Sequence, residues 1–296
     1  MVSSKYTSWK KNLFLIVKMS LSVLAMTLIS RKVNWHFFIA VVQKVDIRVL
    51  LVAFSMHNIS QLLGAVRSRY YLKEIGIKLD HKSNSCLYYL GMFYNLFLPG
   101  GVGGDGYKVY FLKKYYSGKT LSIIKALLFD RFNGLIGLLI LAVMTLCVIK
   151  PSSLPWLTNT STCIILLMMI SLFYWVHQYM IKSDWKTYSH TLILSVLIQC
   201  LQVFACIIIV WSLGEHTHLL TYTLIFLASS ISMQLPLSMG GLGAREVTVV
   251  YCLNALHIDP TIGLAMAMIY FMIQSLSNCI GVFFIDFKLD QALQIK

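Results

Sequence analysis

Apolar stretches separated by short basic or polar connections run along most of this chain. Residues 13–30, 47–65, 126–149, 161–181, 191–213 and 262–285 each come close to or exceed the roughly 20 apolar residues needed to cross a bilayer. Three other apolar arms, 85–98, 219–235 and 247–256, are too short for a comfortable crossing. The pattern predicts an all-α, polytopic integral membrane protein with about six full spans and two re-entrant broken helices. It forms a single membrane domain over residues 1–296.

Two of the short arms run into the same motif. Leu98-Pro-Gly-Gly-Val-Gly-Gly-Asp-Gly-Tyr-Lys108 and Leu235-Pro-Leu-Ser-Met-Gly-Gly-Leu-Gly-Ala-Arg245 align without a gap as Leu-Pro-x-x-x-Gly-Gly-x-Gly-x-(Lys/Arg). Pro99 and Pro236 each remove a backbone donor and clash with the preceding turn, which stops a helix. Within a membrane, irregular backbone is tolerated only where protein or a watery cavity receives its polar groups. A matched pair of such breaks is the best sequence pointer to a transported or bound molecule.

Charge placement orders these elements across the bilayer. Lys5, Lys10 and Lys11 precede residues 13–30, and Lys18 interrupts that run, so it reads as a retained first span rather than a cleaved leader. Residues 33–45 carry Trp35, Phe37 and Phe38 among scattered charges and read as an interfacial helix. Arg67, Arg69, Lys73, Lys78 and Lys82 lie before the first glycine motif, and Lys108, Lys113, Lys114, Lys119 and Lys125 within and after it. Both flanks of that arm are therefore cytoplasmic by charge bias, as are Lys182 and Lys186. The expected location is the cell (inner) membrane, with cytoplasmic N- and C-termini. Three spans separate the two motifs, so the broken helices enter from opposite sides as an inverted pair.

The motif residues suggest anion binding. A glycine-rich turn that opens a helix presents backbone N–H groups. Pro99, Gly103, Gly104, Asp105 and Lys108 in the first motif are candidate substrate contacts, as are Pro236, Gly240, Gly241, Gly243, Arg245 and Glu246 in the second. Lys108 and Arg245 occupy equivalent positions and suit a phosphate, Arg245 by a bidentate fork. Asp105 and Glu246 are placed to steady a base or meet a cationic headgroup. Arg131, beside Asp130 at the opening of a span, needs a partner if it lies in hydrocarbon. His57 and Gln61, four apart, share a helical face, where a hydrogen-bonded polar seam is the plainer reading and a substrate or proton contact the sharper one. Gln274, Ser275 and Asn278 read as a second seam.

Composition narrows the functional classes. With 58% hydrophobic and 12% charged residues and a mean hydropathy of +0.74, no soluble domain of ordinary polarity fits. The net charge of +14 sits in connections rather than in a stripe with exposed aromatics, which argues against nucleic acid and for anionic headgroups. Seven cysteines lie in or beside apolar runs without Cys-x-x-Cys spacing. Glu215, His216 and His218 on one short loop are a weak metal pattern, and no metal or cofactor is expected. Gly101-x-Gly103-x-x-Gly106 matches a dinucleotide fingerprint only formally, because a preceding strand is required. No nucleophile–base pair supports catalysis, so an enzyme is not expected; an intramembrane transferase is the remaining catalytic alternative.

The run Pro99 to Asp105 with a base at 108, Arg131 opening a span, and Ser238-Met-Gly-Gly-Leu-Gly-Ala-Arg-Glu246 resemble the lysylphosphatidylglycerol synthase transmembrane-region family, whose members are also called flippase-like domains. The resemblance runs from about residue 21 to 287. Lys108 stands where the family usually has arginine, keeping the charge and losing the planar fork. In larger relatives this region is the lipid-translocating half, fused to a soluble aminoacyl-transferase that this chain does not contain. The resemblance implies a stand-alone translocase for a lipid with an anionic or modified headgroup, such as a phospholipid, an aminoacyl-phospholipid or a polyprenyl-phosphate-linked lipid. The alternative is a non-transporting membrane partner of an enzyme of envelope glycan or glycolipid synthesis.

Overall fold

The computed structural model describes residues 46–96, 103–115, 119–150, 158–181, 184–234 and 244–285, with a few positions between 36 and 45. The expected first span (13–30), most of the interfacial segment (33–45), Pro99, Pro236, Gly240, Gly241 and Gly243 lie outside these residues. The described residues form helices α1 (Ile47–Glu74), α2 (His81–Asn95), α3 (Gly103–Tyr115), α4 (Thr120–Ile149), α5 (Asn159–Met180), α6 (Trp185–Ser212), α7 (Leu219–Gln234), α8 (Ala244–Ala255) and α9 (Thr261–Cys279). A 3₁₀ segment, Ile280–Phe284, continues α9. Five of these elements (α1, α4, α5, α6, and α9 with its continuation) are long and apolar enough to cross a membrane. The chain is an all-α, multi-pass membrane protein.

Local chemistry sets the helix boundaries that orient the site. Asp46 and Asp80 cap α1 and α2 by accepting amides of their first turns. α1 ends at Gly76 (φ +87°), where the Gly76 amide donates to Lys73 O and the Ile77 amide to Leu72 O. This is a Schellman ending, with Leu72 and Ile77 packed in one apolar cluster. It reverses the chain in the few residues before Asp80. At the far end, the hydroxyl of Thr217 and the amides of His218 and Thr217 bond to Glu215 and hold its carboxyl well down, at about 2. The histidine-bearing loop is thus organised as a hydrogen-bonded turn ahead of α7.

The bundle is built on α1, α4 and α6. α1 lies along α6, and both pack on α4. Ala205, Cys206, Ile209 and Val210 on α6 form one core with Ala53 on α1, Phe226 on α7 and Met266 and Tyr270 on α9. α2–α3 and α7–α8 are antiparallel hairpins, and both pack on α4 while α9 touches a helix from each. α5 sits outside against α4, with Leu167, Met168, Leu172 and Trp175 exposed, as a lipid-facing helix requires. Thr187 at the start of α6 bonds to Glu74 at the end of α1 at 2.7 Å, so these ends share one side. With three helices crossing between the hairpins, α2 and α7 enter from opposite sides.

One boundary differs from the sequence expectation. The second apolar run was expected to stop near residue 65, with Arg67 among the basic residues of a connection. α1 instead continues to Glu74 and carries Arg67 into the interior at 7% exposure. The helix continues because Asp130, on α4, supplies the guanidinium with a carboxylate at 2.7 Å. Asp130 is ten residues into α4, about 15 Å from its start at 1.5 Å per residue. The Asp130–Arg131 pair is therefore an interior feature of the helix.

Candidate functional site

α1, α6 and α9 each carry a polar stripe at helical spacing. His57, Gln61 and Arg67 lie on α1, Gln199 and Gln202 on α6, and Tyr270, Gln274 and Asn278 on α9. These stripes converge on a cavity of about 280 Å³, which the two hairpins also wall. Asn95, Asp105 and Lys108 come from α2–α3, and Ser230, Met233, Gln234 and Arg245 from α7–α8. α4 contributes Asp130, Arg131 and Gly134. The hairpins named by the two glycine motifs therefore meet at one polar space inside an apolar bundle.

The first hairpin closes on itself through glycine. The backbones of Gly91 and Gly104 touch, and a Cβ on Gly104 would collide with the Gly91 carbonyl. Asn95 Oδ1 accepts the Gly104 amide at 2.7 Å, so this amide serves the hairpin. Asp105, in the first turn of α3, takes Arg131 in a short ion pair and lies 3.4 Å from Lys108 Nζ. Lys108 is buried, with its ammonium 4.4 Å from the centre of the Tyr88 ring. Gly103 and Gly104 support this cluster without lining the cavity.

Arg67 belongs to a second, closed network. Its Nε bonds to Asp130 and its Nη1 donates to Ser195 Oγ at 2.8 Å. Ser195 donates to Asn133 Oδ1 at 2.9 Å, and Asn133 Nδ2 donates to Tyr71 OH at 2.6 Å. Gly134 leaves room for the guanidinium, since a Cβ there would approach Nη1 to 3.2 Å. A paired, hydrogen-bonded ion of this kind fixes the register of α1, α4 and α6.

Arg245 is held differently. It is 4% exposed, its Cζ lies 4.7 Å from the Tyr270 ring centre and 5.2 Å from that of Phe226, and its Nε donates to Met233 Sδ at 3.1 Å. Among the described residues its Nη1 has no hydrogen-bond partner and it makes no ion pair. Two further cavity residues carry buried polar atoms without a hydrogen-bond partner there, Gln199 Oε1 and Ser230 Oγ. The described lining holds four cations, Arg67, Lys108, Arg131 and Arg245, against two carboxylates, Asp105 and Asp130. The cavity thus carries a surplus of two positive charges. A buried guanidinium without a partner, in a space of net positive charge, is complementary to an anion.

Of the sequence candidates, Asp105, Lys108, Arg131 and Arg245 line the cavity, while Glu246 lies in the first turn of α8 behind it. The His57 ring bonds to Tyr270 OH at 3.2 Å and also faces the cavity with Gln61. Asn58 takes the seam role, accepting from Tyr89 and Ser277. Gln274 and Asn278 line the cavity, whereas Ser275 is buried apart from it. Sequence reasoning did not single out Arg67, Gln199, Gln202 or Ser230, although the spacing of His57, Gln61 and Arg67 was available.

Comparison with known proteins agrees with this architecture. A stretch of 104 residues is 32% identical to a UPF0104 membrane protein of Pyrococcus horikoshii, covering 34% of this chain and 31% of that relative. The chain thus matches about a third of the length of that protein. Residues 15–183 and 177–281 match the family described as lysylphosphatidylglycerol synthase TM region, which together take in most of the sequence. On that extent of match, this chain belongs to the lysylphosphatidylglycerol synthase TM region family.

Proposed function

We propose that this protein binds a membrane lipid through an anionic, phosphate-bearing headgroup and carries it between leaflets. The observation behind this reading is Arg245, a buried guanidinium lining a cavity that both hairpins wall, with an Nη1 that has no hydrogen-bond partner among the described residues. A phosphate oxygen placed there would receive a charge-assisted bond in a setting of low dielectric. The Asp105–Arg131–Lys108 cluster supplies the opposing wall, with one more positive than negative charge. Inverted hairpins meeting at a shared site provide a geometry for alternating access. In this reading the protein is not an enzyme, its basic flank faces the cytoplasm, and Lys108, Arg131 and Arg245 guide the headgroup.

The test is movement of a fluorescent phospholipid between leaflets of liposomes containing purified protein. Arg245→Ala and Arg131→Ala should each lower the protein-dependent rate at least tenfold while the protein stays folded by circular dichroism. Full rates in both variants would refute the assigned roles. Lipid binding without movement, in a protein that co-purifies with a membrane glycosyltransferase, would favour the non-transporting partner instead.

A further inference from the structure

The cavity lining divides into two kinds of group. Arg245 and the Asp105–Arg131–Lys108 cluster supply the charge that an anionic group requires. Between them lie neutral side chains that both donate and accept, Gln61, Gln199, Gln202, Ser230, Gln274 and Asn278. A bare phosphate held by the cations leaves the accepting half of these groups unused, whereas a ligand that also carries hydrogen-bond donors beside its anionic group uses both halves.

Two kinds of donor are common on lipid headgroups, the ammonium and the hydroxyl, and the cavity discriminates between them. An ammonium buried in such a space needs a carboxylate or an open aromatic face, because neutral carboxamide oxygens can bond it without cancelling its charge. Asp105 is already shared by Arg131 and Lys108, and Asp130 is taken by Arg67. The Tyr88 and Tyr270 rings already carry Lys108 and Arg245. An added cation would also enter a space with two surplus positive charges, where the low interior dielectric strengthens like-charge repulsion. A hydroxyl meets none of these penalties, and carboxamides such as Gln199 and Gln202 bond it in either direction.

Resting on the phosphate-headgroup reading above, we infer that the cavity selects a phosphorylated polyol, an inositol- or sugar-type headgroup with neutral hydroxyls, and rejects an ammonium-bearing one such as a lysyl ester. At about 280 Å³ the space is near the lower bound of ligand pockets, the scale of a headgroup without its acyl chains.

Four probes with the purified full-length protein test this, read by ligand-dependent native mass spectrometry. They are phosphatidylinositol, phosphatidylmethanol (the same charge without hydroxyls), lysylphosphatidylglycerol and free inositol phosphate. Phosphatidylinositol should bind about tenfold more tightly than phosphatidylmethanol, and lysylphosphatidylglycerol more weakly than both. Gln199→Leu, and independently the near-isosteric Ser230→Ala, should reduce the inositol preference to about threefold or less while leaving phosphatidylmethanol unchanged. Arg245→Ala should weaken both anionic lipids. Equal binding of phosphatidylinositol and phosphatidylmethanol, with Arg245 still required, would overturn the hydroxyl inference and leave the phosphate reading standing. Tightest binding by lysylphosphatidylglycerol would also overturn it, whereas failure of every anionic probe would take both readings down. Free inositol phosphate matching the lipid would uphold hydroxyl selection and move the ligand from a lipid to a soluble polyol phosphate.

Discussion

Replacing Arg245 with methionine should stabilise the protein and abolish its response to anionic lipid. The guanidinium is 4% exposed, its Nη1 has no hydrogen-bond partner among the described residues, and the adjacent Glu246 acts on it electrostatically without closing an ion pair. Burying such an ion costs several kcal/mol even after relaxation. The faces of Tyr270 and Phe226 return part of this, about 0.5–2 kcal/mol for each well-placed ring. Methionine keeps an unbranched stem against the same rings and removes the charge. The net expectation is a gain of about 1–4 kcal/mol, the range seen when buried charge gives way to apolar packing. At ~2–4 °C per kcal/mol for chains approaching this size, the unfolding midpoint should rise by several degrees. Tryptophan fluorescence of delipidated protein in detergent would follow it. Added phosphatidylglycerol should raise the midpoint of the wild type and leave that of the variant unmoved. A variant less stable than wild type by more than about 2 kcal/mol would show that the resting fold satisfies Arg245, and the argument for an open site would fail.

The opposite sign is expected at the other buried arginine. Asp130→Ala strands Arg67 and should cost about 3–5 kcal/mol in thermal or urea unfolding, much of it recovered in the Arg67→Met/Asp130→Ala double variant. Gly104→Ala should cost about 1–3 kcal/mol or more by forcing α2 and α3 apart, whereas Gly106→Ala, with nothing near its added carbon, should be neutral or stabilising by up to about 1 kcal/mol. Equal effects of the two glycine substitutions on the melting midpoint would refute the close contact between these helices.

The five described spans and the paired hairpins were legible because they are written locally. Runs of apolar residues encode crossings one helix at a time, and a proline is a helix-stop signal that needs no knowledge of the rest of the fold. The end of α1 was not legible by that route. Arg67 looks like a connection residue to any reading confined to its neighbours, because the carboxylate that lets it stay inside is 63 residues away on α4. The polar stripe His57, Gln61, Arg67 held a usable signal, since a charged residue continuing the polar face of a span is better explained by an interior partner than by a helix end. Gln199 and Ser230 gave no such signal. Their role depends on which face each helix turns toward the cavity, and that is fixed by packing among α1, α4 and α6.

Two buried arginines, alike in sequence and both in apolar bundles, thus reach opposite states through the position of two carboxylates. Asp130 cancels Arg67 and leaves a rigid three-helix joint. Asp105 lies between Lys108 and Arg131 and can cancel only one of them. The surplus charge therefore has two locations, one at the foot of α3 and one at Arg245 on α8. The first hairpin together with Arg131 of α4, and the second hairpin through Arg245, each present one net positive charge to the space between them. Because the hairpins enter from opposite sides, an anion held between these charges sits where neither hairpin alone could hold it. Under the proposed function, movement of one hairpin against the other would change which side of the membrane the anion faces, without requiring it to pass through hydrocarbon unpaired.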